Sequence, residues 1–184
     1  MIEKKLSAIK NPQESSNTKR KDLLDRCIKL YNEEYGEKLN VKELRAQVFT
    51  FMFAGHETTS AAMSWTLYFL AQYREIQEKV RHEIQETLKD SELTWDTFES
   101  MEYLAAVINE SMRLCPPVGS FTRTVIKEDD ILGHKVLPGT TIALVPHLIH
   151  RLSGYWKDPK NFNPDRFLSP GKLIFVEDYK IISV

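Results

Sequence analysis

Apolar residues recur on nearly every turn from Val48 to Ala71, and in the middle of that run Gly55-His56-Glu57-Thr58-Thr59 interrupts them with polar groups. Helical periodicity starts earlier, where Asn40 and Glu43 form a capping-box pattern, and persists to about Gln72. About 30 residues at 1.5 Å each give a helix of ~45 Å, a scaffold element. Before it, a polar loop over 11–17 leads into a helix from Thr18 to Tyr35 that stops at Gly36. After it, Arg74 to Lys89 repeats Ile76, Val80, Ile84 and Leu88 at four-residue steps, an amphipathic helix. Thr94 to Ser100 reads as a short helix capped by Thr94. Glu102 to Leu114 is a further helix with Leu104, Val107, Ile108 and Met112 on one face, stopped by Pro116-Pro117.

Beyond Pro117 the period changes. Ser120 to Val125, Ile131-Leu132, Lys135 to Leu137 and Thr141 to Val145 are β-favouring pieces separated by Gly133-His134 and Pro138-Gly139. Past Arg151 the chain is irregular, rich in proline and aromatic residues. The expected fold is mainly α with a small β-sheet, in a single domain over 1–184.

The polar notch is costly. Glycine inside a helix costs about 1 kcal/mol relative to alanine, and an acid among Phe51, Met52, Phe53, Met63 and Trp65 is expensive to bury without a partner. Two readings stay open. In one, Thr58 returns its hydroxyl to the Ala54 carbonyl and loosens the helix, Gly55 lets a flat ligand approach the backbone, and Glu57 with Thr58 forms a proton-delivery pair. In the other, the helix packs on a neighbour through its small residues and Glu57 pairs with an arginine. The same run is long enough for a bilayer, about 20 helical residues. A span would put Glu57 near the midplane at roughly 2.5–3.5 kcal/mol, which argues against it.

Glu110 and Arg113 share a helix face at i and i+3. Alone, such a pair is usually a solvated salt bridge. Flanked by Val107-Ile108 and Leu114-Cys115-Pro116-Pro117 it has the setting of a buried one, which needs further hydrogen bonds to offset desolvation. Arg166, in Pro164-Asp165-Arg166-Phe167, is the candidate to supply them.

Charge narrows the partners. Lys+Arg 25 against Asp+Glu 26 gives a net charge of -1 in 184 residues, so no basic surface for nucleic acid is expected. Cys27 and Cys115 have neither disulfide-framework nor zinc-site spacing. The charged start, Met1-Ile2-Glu3-Lys4-Lys5, lacks the apolar stretch of a signal peptide, so none is expected from these residues.

Ala54-Gly55-His56-Glu57-Thr58-Thr59, Glu110-x-x-Arg113 and Pro164-Asp165-Arg166-Phe167, in that order, resemble the cytochromes P-450, haem-thiolate monooxygenases, over about 21–167, with 168–184 a divergent tail. The resemblance implies a partial P-450 fold, from the long central helix to the meander, and heme b as cofactor. It implies that Thr58 steadies iron-bound oxygen, that Glu57 relays protons, and that Ala54 and Gly55 lie against the haem. It also implies that Glu110, Arg113 and Arg166 lock the haem-side core as a triad. Arg123 resembles the strand arginine that pairs with a haem propionate; as an ordinary strand residue it would pair with Glu128 or Asp130. Phe51-Met52-Phe53-x-Gly55-His56 and Met63-Ser64-Trp65 are similar to the fatty-acid ω-hydroxylase branch, although Ala54 stands where many members carry a haem-bonding glutamate. Expected partners are a small lipophilic substrate and an NADPH-dependent flavoprotein reductase. Full-length eukaryotic relatives belong to the endoplasmic reticulum membrane.

Family chemistry rests on a cysteine thiolate, whose electron donation favours O–O cleavage. No cysteine follows Phe167, and Cys27 and Cys115 lie upstream, where each reads as a small buried hydrophobe. The expectation is therefore a truncated form, inactive alone, that binds haem poorly and gives no thiolate-type spectrum. The alternatives are a non-catalytic helical interaction protein derived from the same fold, or a metal hydrolase using His147 and His150 with Glu57 or His56.

Overall fold

The computed structural model describes residues 24–27, 29, 41–89 and 92–168. The chain divides into two compact units, 1–57 and 58–184. Most of the helix expected over 18–35 lies outside the described residues, as does Asn40, although 24–27 and 29 are helical. Helix α1 covers Val41–Gln72, α2 Arg74–Thr87, α3 Trp95–Glu99 and α4 Glu102–Leu114. Strands β1 (Phe121–Thr124), β2 (Asp129–Ile131), β3 (His134–Val136) and β4 (Thr141–Leu144) follow, then the short α5 (Pro146–Ile149) and a 3₁₀ turn at Pro164–Phe167.

In the first unit Leu44 and Val48, one turn apart on α1, pack against Leu24 and Cys27. The next turns turn their apolar groups outward: Phe49 and Phe53 stack on each other at 6.4 Å and remain exposed. The α-helix continues without interruption through residues 54–59, so the loosening expected at Thr58 does not break it. Hydroxyls return to the backbone along α1, Thr50 to the Ala46 carbonyl at 2.9 Å and Thr66 to that of Ala62 at 2.8 Å.

The core of the second unit is Val80 from α2, Val107 and Leu114 from α4, and Phe162. Val107 and Leu114 are two turns apart, so one stripe of α4 faces α2. The end of α1 joins through aromatic contact, Phe69 stacking on Phe162 at 4.5 Å and Tyr73 lying 5.2 Å from it. Tyr73 is also where α1 stops and α2 starts, with a non-helical ψ of 79°. The cap expected at Thr94 is present with Thr97 as its reciprocal partner: each threonine hydroxyl accepts the other's backbone N–H, at 3.2 and 2.8 Å. The apolar face of α4 is only part of what it buries, because Glu110, Ser111 and Arg113 are buried as well.

The β pieces form two separate antiparallel pairs rather than one sheet. β1 pairs with β4, Phe121 opposite Leu144 and Arg123 opposite Ile142, while β2 pairs with β3, Ile131 opposite His134. The β2–β3 turn puts both central residues at positive φ, Leu132 at 54° and Gly133 at 82°. That is the hairpin turn whose twist matches the strands and which favours Asn-Gly. Asp130 supports it by accepting the Gly133 N–H at 2.8 Å. A γ-branched apolar residue in the left-handed region is strained by roughly 1–2 kcal/mol, and Leu132 is exposed, with no packing to offset the strain. Leu132→Asn should therefore stabilise the hairpin by about 1 kcal/mol, read as added amide protection over 129–136; unchanged or weaker protection would contradict the strain argument.

Candidate functional site

A densely bonded buried site is built on the C-terminal half of α4. Glu110 is fully buried and Arg113, one turn on, nearly so. They meet fork to fork, Arg113 Nε donating to Glu110 Oε2 at 2.7 Å and NH2 to Oε1 at 2.8 Å. Glu110 Oε1 also accepts the Asn163 backbone N–H at 2.8 Å and Arg166 Nε at 3.1 Å. The structure thus brings Glu110, Arg113 and Arg166 into one cluster.

A single carboxylate facing two guanidinium groups leaves one positive charge in excess, and backbone dipoles answer it. Arg113 NH1 donates to the His150 and Pro159 carbonyls at 2.7 and 2.8 Å, and NH2 also to that of Asn161 at 3.3 Å. All five guanidinium N–H groups of Arg113 thereby have acceptors. Arg166 NH1 donates to the Lys157 carbonyl at 2.9 Å. The Trp156 ring covers both arginines, with guanidinium carbons 5.0 and 6.0 Å from its centroid. The chain reaches these positions through a positive φ at Asp158, which aspartate tolerates. Arg166 is presented by the 3₁₀ turn, whose first amide, Asp165 N–H, is capped by Asn163 Oδ1 at 3.1 Å.

His150 closes the cluster from α4's end. Its Nδ1 lies 3.1 Å from the Arg113 carbonyl oxygen, which only accepts, so Nδ1 carries the proton. Arg113 and His150 therefore each hold the other's backbone carbonyl. Burial pushes the His150 pKa below its usual range, opposed by that hydrogen bond and reinforced by Arg113, Arg151 and His147. His147 Nδ1 accepts from Arg151 at 2.9 Å. Both histidines are thus engaged in the backbone and arginine contacts of this region, and no group of three or more metal-binding side chains occurs among the described residues.

The polar motif of α1 has a different character. Ala54, Gly55, His56 and Glu57 are exposed, in the first unit, and His56 Nδ1 lies 3.6 Å from Glu57 Oε1. A Cβ added at Gly55 would meet no atom within 4 Å. Thr58, the first residue of the second unit, is half-buried. Arg123 on β1 lies exposed over the Phe121 ring at 5.1 Å and donates to the Thr122 carbonyl at 2.9 Å. It does not pair with Glu128 or Asp130, since Glu128 holds Lys135 at 2.9 Å and Asp130 caps its own turn. Neither cysteine resembles a ligand: Cys27 packs with Leu24 and Leu44, and burial raises the Cys115 pKa, which disfavours a thiolate.

Sequence reasoning missed His150 and Trp156 as members of the cluster. The aromatic content of 155–167 was the only signal, and it does not say which ring faces an arginine.

The family model for cytochrome P450 matches residues 1–182. Cytochrome P450 4V2 of Homo sapiens is 38% identical over 154 residues, 83% of this chain and 29% of that protein. The 4V2 protein of Rattus norvegicus has the same identity and coverage. Cytochrome P450 4F3 of Homo sapiens is 37% identical over 159 residues, 84% of this chain and 30% of that protein. The chain thus spans under a third of the length of the curated relatives it matches.

The cluster geometry generates two expectations. Arg113→Lys retains the charge but loses the fork and leaves buried carbonyls without donors, so the second unit should lose about 3–5 kcal/mol of stability in denaturant titration; a loss under about 1 kcal/mol would show the carbonyl shell to be dispensable. For His150 the folded pKa is depressed, so the unfolded chain binds the proton more readily. Its contribution is present above the unfolded value of about 6.5 and is lost as pH falls through the folded pKa. Melting temperature should fall between pH 7.5 and 5, and less steeply in His150→Gln; parallel slopes would contradict this.

Proposed function

The chain belongs to the cytochrome P450 family, and from that membership we propose that it forms the stretch of a haem-dependent monooxygenase from the long central helix to the Pro-Asp-Arg-Phe turn. The observation that carries the reading is the buried Glu110–Arg113–Arg166 cluster, a polar investment in the core that a bare helical scaffold does not need. The proposed cofactor is heme b, which when bound supplies the oxygen-activating chemistry. Taken singly, Gly55, with open space at its backbone, and Arg123, a cation with no carboxylate partner among the described residues, suit the flank and a propionate of such a group. Cys27 packs against Leu24 and Leu44 and burial raises the Cys115 pKa, so neither would suit as a thiolate ligand to such a group.

Within this reading the chain's own groups position and hold protons. The Thr58 hydroxyl would donate a hydrogen bond at the flank of a bound haem, and the adjacent Glu57 carboxyl, exposed beside His56, would exchange protons with solvent and supply them there. Glu110, Arg113 and Arg166 touch no substrate; they keep the supporting core rigid. We extend the proposal to a small lipophilic substrate of the fatty-acid ω-hydroxylase class, an NADPH-dependent flavoprotein reductase as electron donor, and the endoplasmic reticulum membrane as location. No helix among the described residues is long and apolar enough to cross a membrane.

A chimaera tests this: the homologous stretch of the human 4V2 relative is replaced by this chain. The chimaera should bind haem and give the red-shifted Soret band of a thiolate-ligated, reduced, carbon monoxide-bound haem, whereas residues 1–184 alone should not. Thr58→Ala or Glu57→Ala in the chimaera should retain that band while lowering product formation roughly a hundredfold. A folded chimaera without the band, or full turnover in both variants, would overturn the assignment.

A further inference from the structure

α4 begins without a cap of its own. Met101 stands at the N-cap and makes no side-chain hydrogen bond, yet the first-turn amides of a helix have no partner inside it. They find acceptors on α2. Glu83 Oε1 accepts the Tyr103 N–H at 2.7 Å and Oε2 accepts the Leu104 N–H at 2.8 Å. These are the second and third helical residues, the amides that a local Ser, Thr or Asp cap would take. One carboxylate thus uses both oxygens on the positive end of a 13-residue helix.

We infer that Glu83 is the cap of α4 supplied by α2, and that it acts as a positioning residue for the Glu110–Arg113–Arg166 cluster at the other end of that helix. The apolar contact between the two helices cannot do this alone. Val80 and Ile84 pack with Val107, Leu104 and Tyr103, but apolar attraction is non-directional. A slide of α4 by one residue moves it about 1.5 Å, enough to carry a 2.7 Å hydrogen bond beyond its range while the apolar surfaces stay covered. At its far end α4 must bring Glu110 to one fixed amide, Asn163 N–H, and Arg113 to the His150, Pro159 and Asn161 carbonyls. Those acceptors are on backbone and do not follow a sliding helix. Lys79, one turn before Glu83, lies 5.5 Å over the Tyr103 ring and braces the same junction.

The test reads amide exchange by NMR in the full chain at four places: Tyr103 and Leu104, bonded to Glu83; Asn163, bonded to Glu110; and Val125, bonded to Thr140 just beyond the end of the β1–β4 ladder, as reference. Glu83→Ala should speed exchange at Tyr103, Leu104 and Asn163 by about tenfold or more relative to Val125. A general loss of stability would move all four together. Met101→Ser added to Glu83→Ala supplies a cap within α4 itself, with Met101→Ser alone as its baseline. It should restore Tyr103 and Leu104 and leave Asn163 fast, because a local cap satisfies the amides without tying α4 to α2. Should Glu83→Ala not fold, Glu83→Gln, which retains the shape and one acceptor oxygen, carries the same comparison with smaller factors. Unchanged Tyr103 and Leu104 would overturn the cap. Unchanged Asn163, or an Asn163 that recovers with the local cap, would overturn the positioning role.

Discussion

A carboxylate with no exposed surface sets the terms for what packs around it. Glu110 is tolerable as an ion only because four N–H groups converge on it, from Arg113 Nε and NH2, the Asn163 backbone and Arg166 Nε. Taking such an ion from water costs several kcal/mol, and attraction offsets this only when the remaining lone pairs and protons are also satisfied. The demand therefore spreads outward. Two arginines over-neutralise one glutamate, and the surplus falls on the carbonyls of His150, Lys157, Pro159 and Asn161 and on the face of Trp156. Four carbonyls of the irregular chain over 150–163 thereby serve as part of the solvation shell of the ion cluster.

The surface of α1 follows the opposite logic. Phe49, Met52, Phe53 and Leu67 each leave more than 60% of their surface in solvent. In the first unit Phe49, Met52 and Phe53 shortly precede the exposed residues Gly55, His56 and Glu57 on the same helix. The two halves of the family pattern are thus physically distinct: a buried cluster of ion pairs and hydrogen bonds, and an exposed stretch of helix that carries polar groups.

Much of this was legible in the sequence, for identifiable reasons. α2 and α4 were found within two residues because four-residue apolar steps and the Pro116-Pro117 stop are local signals. Thr94 announced α3 as a capping residue. Glu110 and Arg113 stand out as a buried pair by residue type, spacing and apolar flanks, and Arg166 joins them as the third member that the P-450 resemblance implies. Their acceptors do not stand out, since every residue carries the same carbonyl and only the path of the chain decides which four point at a guanidinium. Met101 illustrates the same limit from the other side. A helix start without a capping residue looks weak in sequence, and nothing local reveals that the missing group sits on Glu83. Arg123 resembles a propionate-binding arginine or, as an ordinary strand residue, suits Glu128 or Asp130; Glu128 holds Lys135 and Asp130 accepts the Gly133 N–H, which residue types alone do not reveal.

α4 shows how these constraints combine. Its positive end is met by Glu83, and near its negative end sits Arg113, while His150 takes the Arg113 carbonyl that the helix leaves unbonded. Glu110, by contrast, stands where the dipole opposes a negative charge, and the two guanidinium groups with the Asn163 amide make that position acceptable. A helix fixed at both ends by directional bonds cannot shift to relieve strain at one of them; a change in register would break the cap and the cluster together. The apolar stripe of Val107 and Leu114 supplies adhesion between those ends, and the charged groups decide where along α2 that adhesion takes place.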